Sequence, residues 1–284
     1  MPGFTHLHLH SEFSLLDGAC RIKPLLAAAK SLGQTSLAIT DHGSMFGAIN
    51  FYKEAVAQGI KPIIGCEFYV CDNINIKDKD SKYYHLVVLA KNNIGYQNLK
   101  KLSSIGYLDG FYYKPRIDFE TLTKHSEGLI VLTACLGGEL PKLIVKQHKT
   151  QDKKYDAEIY SFIKKYHEVF GDDFYFEIQS SDTEEQIILN KKLVDLHYEF
   201  NIPLVVTTDA HFPNKEDFNS HNIFININQD RDTENYKYCY VQTRQEIIET
   251  LYHYLEYHDI NKALNNTYEV ANKCNVEIEL HNPK

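Results

Sequence analysis

The sequence predicts an α/β fold in which helices cover a sheet of parallel strands. Three observations carry that expectation. Strand-like runs alternate with helical stripes in about seven β-then-α units. The runs are continuously apolar, as in Leu129-Ile-Val-Leu-Thr-Ala-Cys135, so both faces of the sheet are expected to be covered. No Gly-x-Gly-x-x-Gly or Walker pattern follows any run, which disfavours a nucleotide-cofactor fold. A series of about seven or eight β-α units closes most economically into a barrel, with an open doubly wound sheet as the alternative.

The first run, Phe4 to His10, alternates His with Thr or Leu. Strand geometry would put His6, His8 and His10 on one face and Leu7 and Leu9 on the other. Ser11-Glu-Phe-Ser14 breaks that strand and would swing Asp17 back toward the same end. Ile22, Leu25, Leu26 and Ala29 follow helical spacing, and Gly33 is a natural stop. A short strand over 36–42 ends in Asp41-His42, a helix is expected over 47–59, and a strand over 61–70 carries Glu67. The charged tract 72–82 reads as a solvated loop, and the strand over 84–91 carries His85. A helix over 95–106 leads to Gly110-Phe-Tyr-Tyr-Lys-Pro-Arg116, a loop with aromatics and two cations. After the apolar strand 128–136 come Gly137-Gly138, then a helical stripe of Ile159, Phe162, Ile163, Tyr166 and Phe170. A strand over 174–179, a helix marked by Leu189, Leu193, Leu196 and Phe200, and a strand over 203–211 follow. Residues 1–212 therefore read as the barrel core. Residues 213–284 read as its closing segment and a helical extension, with helices over 244–257 and 259–274. Between these, Asn219 to Asp232 is rich in Asn, and Arg231 to Tyr240 in Tyr and charge.

At 284 residues, 43% hydrophobic and 24% charged, the chain can bury an extensive core. No apolar run approaches the ~20 residues that span a bilayer, and no signal-peptide pattern is present, so no membrane partner is expected. The six cysteines form no Cys-x-x-Cys pair. That argues against a zinc ribbon or a disulfide framework, and a reducing, cytoplasmic setting fits best. A net charge of −8 argues against a free-standing, non-specific nucleic-acid binder. Divalent ions held among the acids would offset that charge locally and attract phosphate there.

In a parallel β/α barrel the reactive groups lie at the C-terminal ends of the strands. Here those ends deliver His8 and His10, then Asp41-His42, Glu67, His85, Cys135, and finally Asp209 with His211; Asp17 joins from the first loop. Imidazole, thiolate and carboxylate are the ligand types of zinc, manganese and iron, and this many ligands exceed what one ion uses. A cluster of two or three divalent metals is expected, with a carboxylate available to bridge. Asp41 is read as an acceptor that fixes the ring of a liganding His. Such clusters activate water and stabilise in-line displacement at phosphorus. The His-Glu-x-x-His spacing of metallopeptidases is absent.

The runs His6-Leu-His-Leu-His-Ser-Glu-Phe-Ser-Leu-Leu-Asp-Gly18, Ala38-Ile-Thr-Asp-His-Gly-Ser-Met-Phe-Gly47, Gly59-Ile-Lys-Pro-Ile-Ile-Gly-Cys-Glu67, Gly110 to Arg116 and Thr207-Thr-Asp-Ala-His211 resemble the PHP (polymerase and histidinol phosphatase) domain family. More narrowly they resemble the PHP domains at the N-terminus of bacterial DNA polymerase III alpha subunits. The resemblance runs from Phe4 to about Glu279 and is looser after Gln179. It implies a distorted (β/α)7 barrel with a C-terminal helical extension and up to three metals. One ion would be held by His8, His10, Glu67 and Asp209, a second by Glu67, His85 and Cys135, and a third by Asp17, His42 and His211. The implied activity is a 3′–5′ proofreading exonuclease on a DNA primer 3′ end. The implied partners are the remainder of the polymerase and the replisome. A non-catalytic metal-binding scaffold and a histidinol-phosphate-type phosphomonoesterase are the alternatives. Lys114 and Arg116 are expected to contact DNA phosphate, and Tyr112 and Tyr113 to pack or to stack on a frayed base. The segment Glu177-Ile-Gln-Ser-Ser-Asp182 departs from the family, which more often has a His or basic residue near Ser181, and Asn219 to Tyr240 also drifts. No polymerase palm, and hence no nucleotidyl-transfer site, is expected within these residues.

Overall fold

A computed structural model describes residues 4–227 and 236–280. Its strands are β1 (Ser36–Ile39), β2 (Lys61–Cys71), β3 (Tyr84–Ala90), β4 (Arg116–Asp118), β5 (Leu129–Leu132), β6 (Phe174–Gln179) and β7 (Leu204–Thr207). The helices are α1 (Ile22–Ser31), α2 (Ala48–Gln58), α3 (Asn93–Leu108), α4 (Phe119–Lys124), α5 (Glu139–Thr150), α6 (Lys154–Phe170), α7 (Glu184–Phe200), α8 (Phe218–Asn226), α9 (Arg244–Leu251) and α10 (Tyr257–Lys273). The strands follow one another round a curled sheet in the order β1-β2-β3-β5-β6-β7, with β4 added to β2.

The expected α/β class and distorted barrel are observed, but the sheet is not all parallel. β3 runs antiparallel to both β2 and β5. The reason lies in the connection. Residues 72–83 between β2 and β3 contain no helix, and a helical crossover is what returns a chain to the far edge for a parallel strand. Without it the chain turns back at the same rim.

The first run also differs from its expectation. Residues 4–10 form no regular strand and bend at His8, with only an isolated parallel bridge from Leu9 to Ala210. They still close the ring. On one side Ala38 and Thr40 donate backbone N–H groups to the carbonyls of His6 and Leu9, at 3.0 and 2.9 Å; on the other, His10 donates to Ala210 at 2.8 Å. The bend defeats the two-residue period. Leu7 enters the barrel interior, Leu9 packs outward among the helices, and His6 turns to the Gln242 carbonyl at 3.0 Å, away from His8.

Alternation within the regular strands divides the core into two layers. Ala38, Ile63, Val87, Leu89, Ile130, Leu132 and Val205 fill the barrel interior. Their neighbours Leu37, Ile64, Val88, Val131, Phe176 and Val206 pack outward with Leu25, Phe51, Leu99, Ile163 and Leu193 of the helices. Both faces are therefore apolar, as the uninterrupted runs required. α10 seals one end of the barrel by inserting Val270 and Ala271, with Cys274, into the interior layer. Hydrogen bonds pin it to strand ends: Lys61 to the Ala271 carbonyl and Asn266 to the Leu204 carbonyl, each at 2.7 Å. The opposite rim, where β1, β2, β6 and β7 end and β3 begins, is left to polar groups.

No helix among the described residues is long and apolar enough to cross a membrane. The Asn-rich tract is helical over Phe218–Asn226, while its end at 228–232 and the start of the Tyr-rich tract at 231–235 lie outside the described residues.

Candidate metal centre

All nine sequence-predicted ligands reach the open rim. The reversal of β3 puts His85 at a strand start, and that start lies where its neighbours end. His85 is opposite Tyr69 in β2, two residues beyond Glu67. Its ring is admitted by a glycine, since a Cβ on Gly137 would lie 2.9 Å from His85 Nδ1. Two strand exits turn through left-handed backbone to aim their ligands. Asp209 itself has φ 49°, and Ala134, just before Cys135, has φ 63°. Non-glycine residues held there carry strain that the surroundings must impose. For Ala134 the restraint is a hydrogen bond from its N–H to Glu177 Oε2 at 3.1 Å.

Glu67 lies at the centre, 1% exposed. Its Oε1 is 3.2 Å from His8 Nε2 and 3.0 Å from His85 Nδ1; its Oε2 is 2.6 Å from His42 Nδ1 and 3.8 Å from His10 Nε2. Cys135 Sγ sits 3.5 Å from His85 Nδ1 and 3.8 Å from Glu67 Oε1. Asp209 Oδ1 is 3.1 Å from His8 Nε2 and 3.0 Å from His10 Nε2. On the outer side Asp17 Oδ2 is 2.9 Å from His42 Nε2 and 3.7 Å from His211 Nε2. Three sets offer ligand atoms all within 4.8 Å of one another: His8, His10 and Asp209; His42, Glu67 and His85; His10, His42 and His211.

Neighbouring hydrogen bonds decide which ring nitrogens remain available. Glu177 is buried and accepts from His8 Nδ1 at 2.7 Å and from the Thr207 hydroxyl at 2.5 Å. The proton of a neutral His8 thus lies on Nδ1, and Nε2 offers a lone pair. Ser14 donates its hydroxyl to Asp41 Oδ1 at 2.7 Å, so it accepts from His10 Nδ1 at 3.1 Å. His10 Nε2 is then a lone pair as well. These two lone pairs face each other at 3.2 Å, and Asp209 Oδ1 beside them is buried without a well-directed hydrogen bond. Such an arrangement is repulsive unless a proton or a metal cation lies among the three atoms. The donor set therefore fits divalent metal.

The titration behaviour has the same origin. Burial holds His10 down to about 3, helped by the charges of His42 and His211, so it stays neutral. For His42 burial acts downward, but Glu67 and Asp17 outweigh it and raise the ring to about 9. His211 is likewise raised to about 9, against burial, by Asp209 and Asp17. His8 is held well above the ordinary range by Asp209 and Glu177 despite burial. The Glu67 carboxyl is driven well below it, against burial, by His85 and His42. Burial pushes the Cys135 thiol up, with Asp209 and Glu67 adding to the effect. These acids draw protons onto imidazoles where cations would otherwise serve.

Other expectations need correction. Arg116 is fully buried in β4, its Nε donating to the Gly110 carbonyl at 3.0 Å and its NH2 group to Ile76 at 3.0 Å. It is a brace for the 72–83 loop and is unavailable to a phosphate. Lys114 is exposed and lies 5.2 Å over the ring of Tyr69, which stacks 6.1 Å from His42. Tyr113 is 81% exposed, whereas Tyr112 covers the Arg116 guanidinium at 5.3 Å. Asp41 touches no liganding ring; it acts through Ser14 and Ser11. Glu177 was not singled out by sequence reasoning. Its signal was there, because an acid inside Phe174-Tyr-Phe-Glu-Ile-Gln179 needs a partner as much as Glu67 does. Tyr236, whose hydroxyl donates to Asp17 Oδ1 at 3.1 Å, gave no signal at a separation of 219 residues.

Residues 6–181 match the PHP domain family. The DNA polymerase III subunit alpha of Borreliella burgdorferi is 42% identical over 282 residues, covering 95% of this chain and 24% of that protein. That of Campylobacter jejuni is 42% identical over 295 residues, covering 100% of this chain and 24% of its own length. The chain thus spans about a quarter of the length of the curated relatives it matches. A crystal structure of a putative metal-dependent phosphoesterase from Bifidobacterium adolescentis superposes with a TM-score of 0.47 at 12% identity, over 91% of this chain and 99% of that one. The family match takes in more than half of the chain and the ligands from His8 to Cys135. The chain belongs to the PHP domain family.

Proposed function

We propose that this chain is a metal-dependent phosphoesterase domain of a DNA polymerase III alpha subunit, acting as a 3′–5′ exonuclease on a mismatched primer end. The observation that carries the reading is the convergence of the His8 and His10 Nε2 atoms on Asp209, beside a Glu67 shared among further histidines. His8, His10, Glu67 and Asp209 would hold one ion, Glu67, His85 and Cys135 a second, and Asp17, His42 and His211 a third. Zinc, manganese and iron all suit the mixed donors. When bound, such ions supply an activated water and charge stabilisation for in-line displacement at phosphorus.

The chain's own residues set the conditions for that chemistry. Glu177 and Ser14 fix the His8 and His10 tautomers, so that no ring rotation is needed as charge develops. Burial of His8, His10 and Glu67 excludes water from the inner side of the site. Lys114 stands at the exposed edge to meet a backbone phosphate of the entering strand.

Incubation with a 3′-mismatched primer-template and Mn²⁺ tests the reading. Stepwise shortening of the primer is expected. An unchanged primer, with metal shown on the chain by elemental analysis, would leave a metal-binding scaffold in its place. Turnover of phosphomonoesters with indifference to DNA would point to a small-molecule phosphatase.

A further inference from the structure

Beside the metal centre the rim opens into a cavity of about 240 Å³, continuous with His42, His85, Asp209 and His211. Its far wall is made by the exit of β6 and the first turn of α7: Gln179, Ser181, Thr183 and Gln186, faced by Tyr236 and Tyr238. Among the described residues no lysine or arginine lines it. A phosphate group would find no counter-charge on that wall, so the wall is built for an uncharged part of the substrate.

The hydrogen bonds behind the wall fix what it offers. Asn190 Oδ1 accepts the backbone N–H of Gln179 at 3.1 Å, so it is an acceptor, and Gln186 must present Nε2 to it, at 2.9 Å. Gln179 Nε2 is directed to the Glu177 carboxylate at 3.3 Å. Both side-chain amides therefore commit an N–H to the protein, which fixes their orientation and leaves their Oε1 atoms as acceptors. Gln186 is 2% exposed and Gln179 8%, so each amide is held in a single orientation. Two fixed acceptors without a cation select ligand N–H or O–H groups and repel anions.

We propose that this cavity is a subsite for one unpaired nucleoside, whose base presents its Watson–Crick N–H groups to Gln179 and Gln186. Every DNA base carries at least one N–H on that edge, so the subsite takes all four. The edge is free only when the base is not paired, so a frayed 3′ terminus enters and a matched one does not. The volume suits a single nucleoside and not a longer strand. The proposal deepens the exonuclease reading and rests on it for the substrate, but the pocket's chemistry does not depend on bound metal.

The test is calorimetric titration of the full chain, without added metal, with thymidine 5′-monophosphate, its 3-methylthymidine analogue and inorganic phosphate. Methylation removes the single N–H of the thymine edge. The analogue is expected to bind at least about five-fold more weakly, and Gln186→Leu should lose the same factor for thymidine 5′-monophosphate and no longer distinguish the two. Equal affinities for the two nucleotides on the unaltered chain, or a nucleotide no tighter than inorganic phosphate, would overturn the proposal. Circular dichroism checks the variant's fold, and the comparison of ligands on the unaltered chain decides even if that variant is unfolded. Primer shortening is read separately. Its absence alongside intact nucleotide discrimination would sink the exonuclease reading and leave the subsite standing.

Discussion

At one end of the barrel Lys273 pairs with Asp173 at 2.9 Å, Lys91 pairs with the same acid, and Lys61 reaches the Ala271 carbonyl. At the other end the ionisable bases that face Glu67, Asp209, Asp17 and Glu177 are imidazoles, and no lysine or arginine lines the cavity among the described residues. The same strands supply both ends. The sealed end gives each of these lysines a permanent partner, a carboxylate or a carbonyl, and covers the join with α10. The open rim leaves acids whose counter-charges are exchangeable: protons on histidine in one state, divalent cations in the other. Permanent partners suit stability, and exchangeable ones suit chemistry.

Changes at the two ends should therefore be separable. The largest effect is expected at Glu67. Glu67→Gln removes the carboxylate shared by His8, His42 and His85, and metal affinity should fall by more than about 100-fold with hydrolysis lost, as read by metal titration and primer assay. Glu177→Ala comes next. It frees the His8 ring and the Ala134 turn, and affinity should fall by about 10- to 100-fold with the fold retained. At the sealed end, Val270→Ala should cost about 2 kcal/mol in denaturant unfolding, because it empties part of the interior layer. Metal affinity should stay unchanged. A variant that altered both quantities would break the separation.

The pH dependence sharpens the same contrast. His42 and His211 are raised from 6.5 to about 9, so without metal their ion pairs stabilise fully below pH 6.5 and are lost as pH rises toward 9. Ligation needs neutral rings, so metal affinity rises over that window while the stability of the metal-free chain falls. Mn²⁺ titration at pH 7 in buffers of different ionisation enthalpy should show proton release that disappears well above pH 9. The smallest effect belongs to Lys114→Ala, which should weaken DNA binding modestly and reduce its logarithmic salt slope by about 1.

Much of this architecture was legible in the sequence for physical reasons. Uninterrupted apolar runs such as Leu129 to Leu132 betray strands covered on both faces, and helical stripes such as Ile159 to Phe170 mark their covers. The convergence of His8, Glu67, His85, Cys135 and His211 followed from the rule that strand ends share a rim. The rule survived the misreading of β3, because a reversed strand delivers its first residues to that rim. Apolar period does not record which way a strand runs, but the helix-free tract 72–82 did signal the reversal, and the expectation of an all-parallel sheet passed over it. The bend at His8 was invisible, so His6 was grouped with histidines it does not join. Arg116 looked like a loop cation because its partners are carbonyls of Gly110, Ile74 and Ile76, and backbone acceptors leave no trace in residue types.

The account's central claim is that side chains from across the chain meet at one rim to hold several cations. Plasma-emission analysis of the chain, after saturation with Mn²⁺ or Zn²⁺ and removal of free metal, tests it most directly. More than one ion per chain is predicted, up to one for each of the three proposed ligand sets, with the count dropping in Glu67→Gln. Less than one ion on a folded chain with every ligand intact would contradict it.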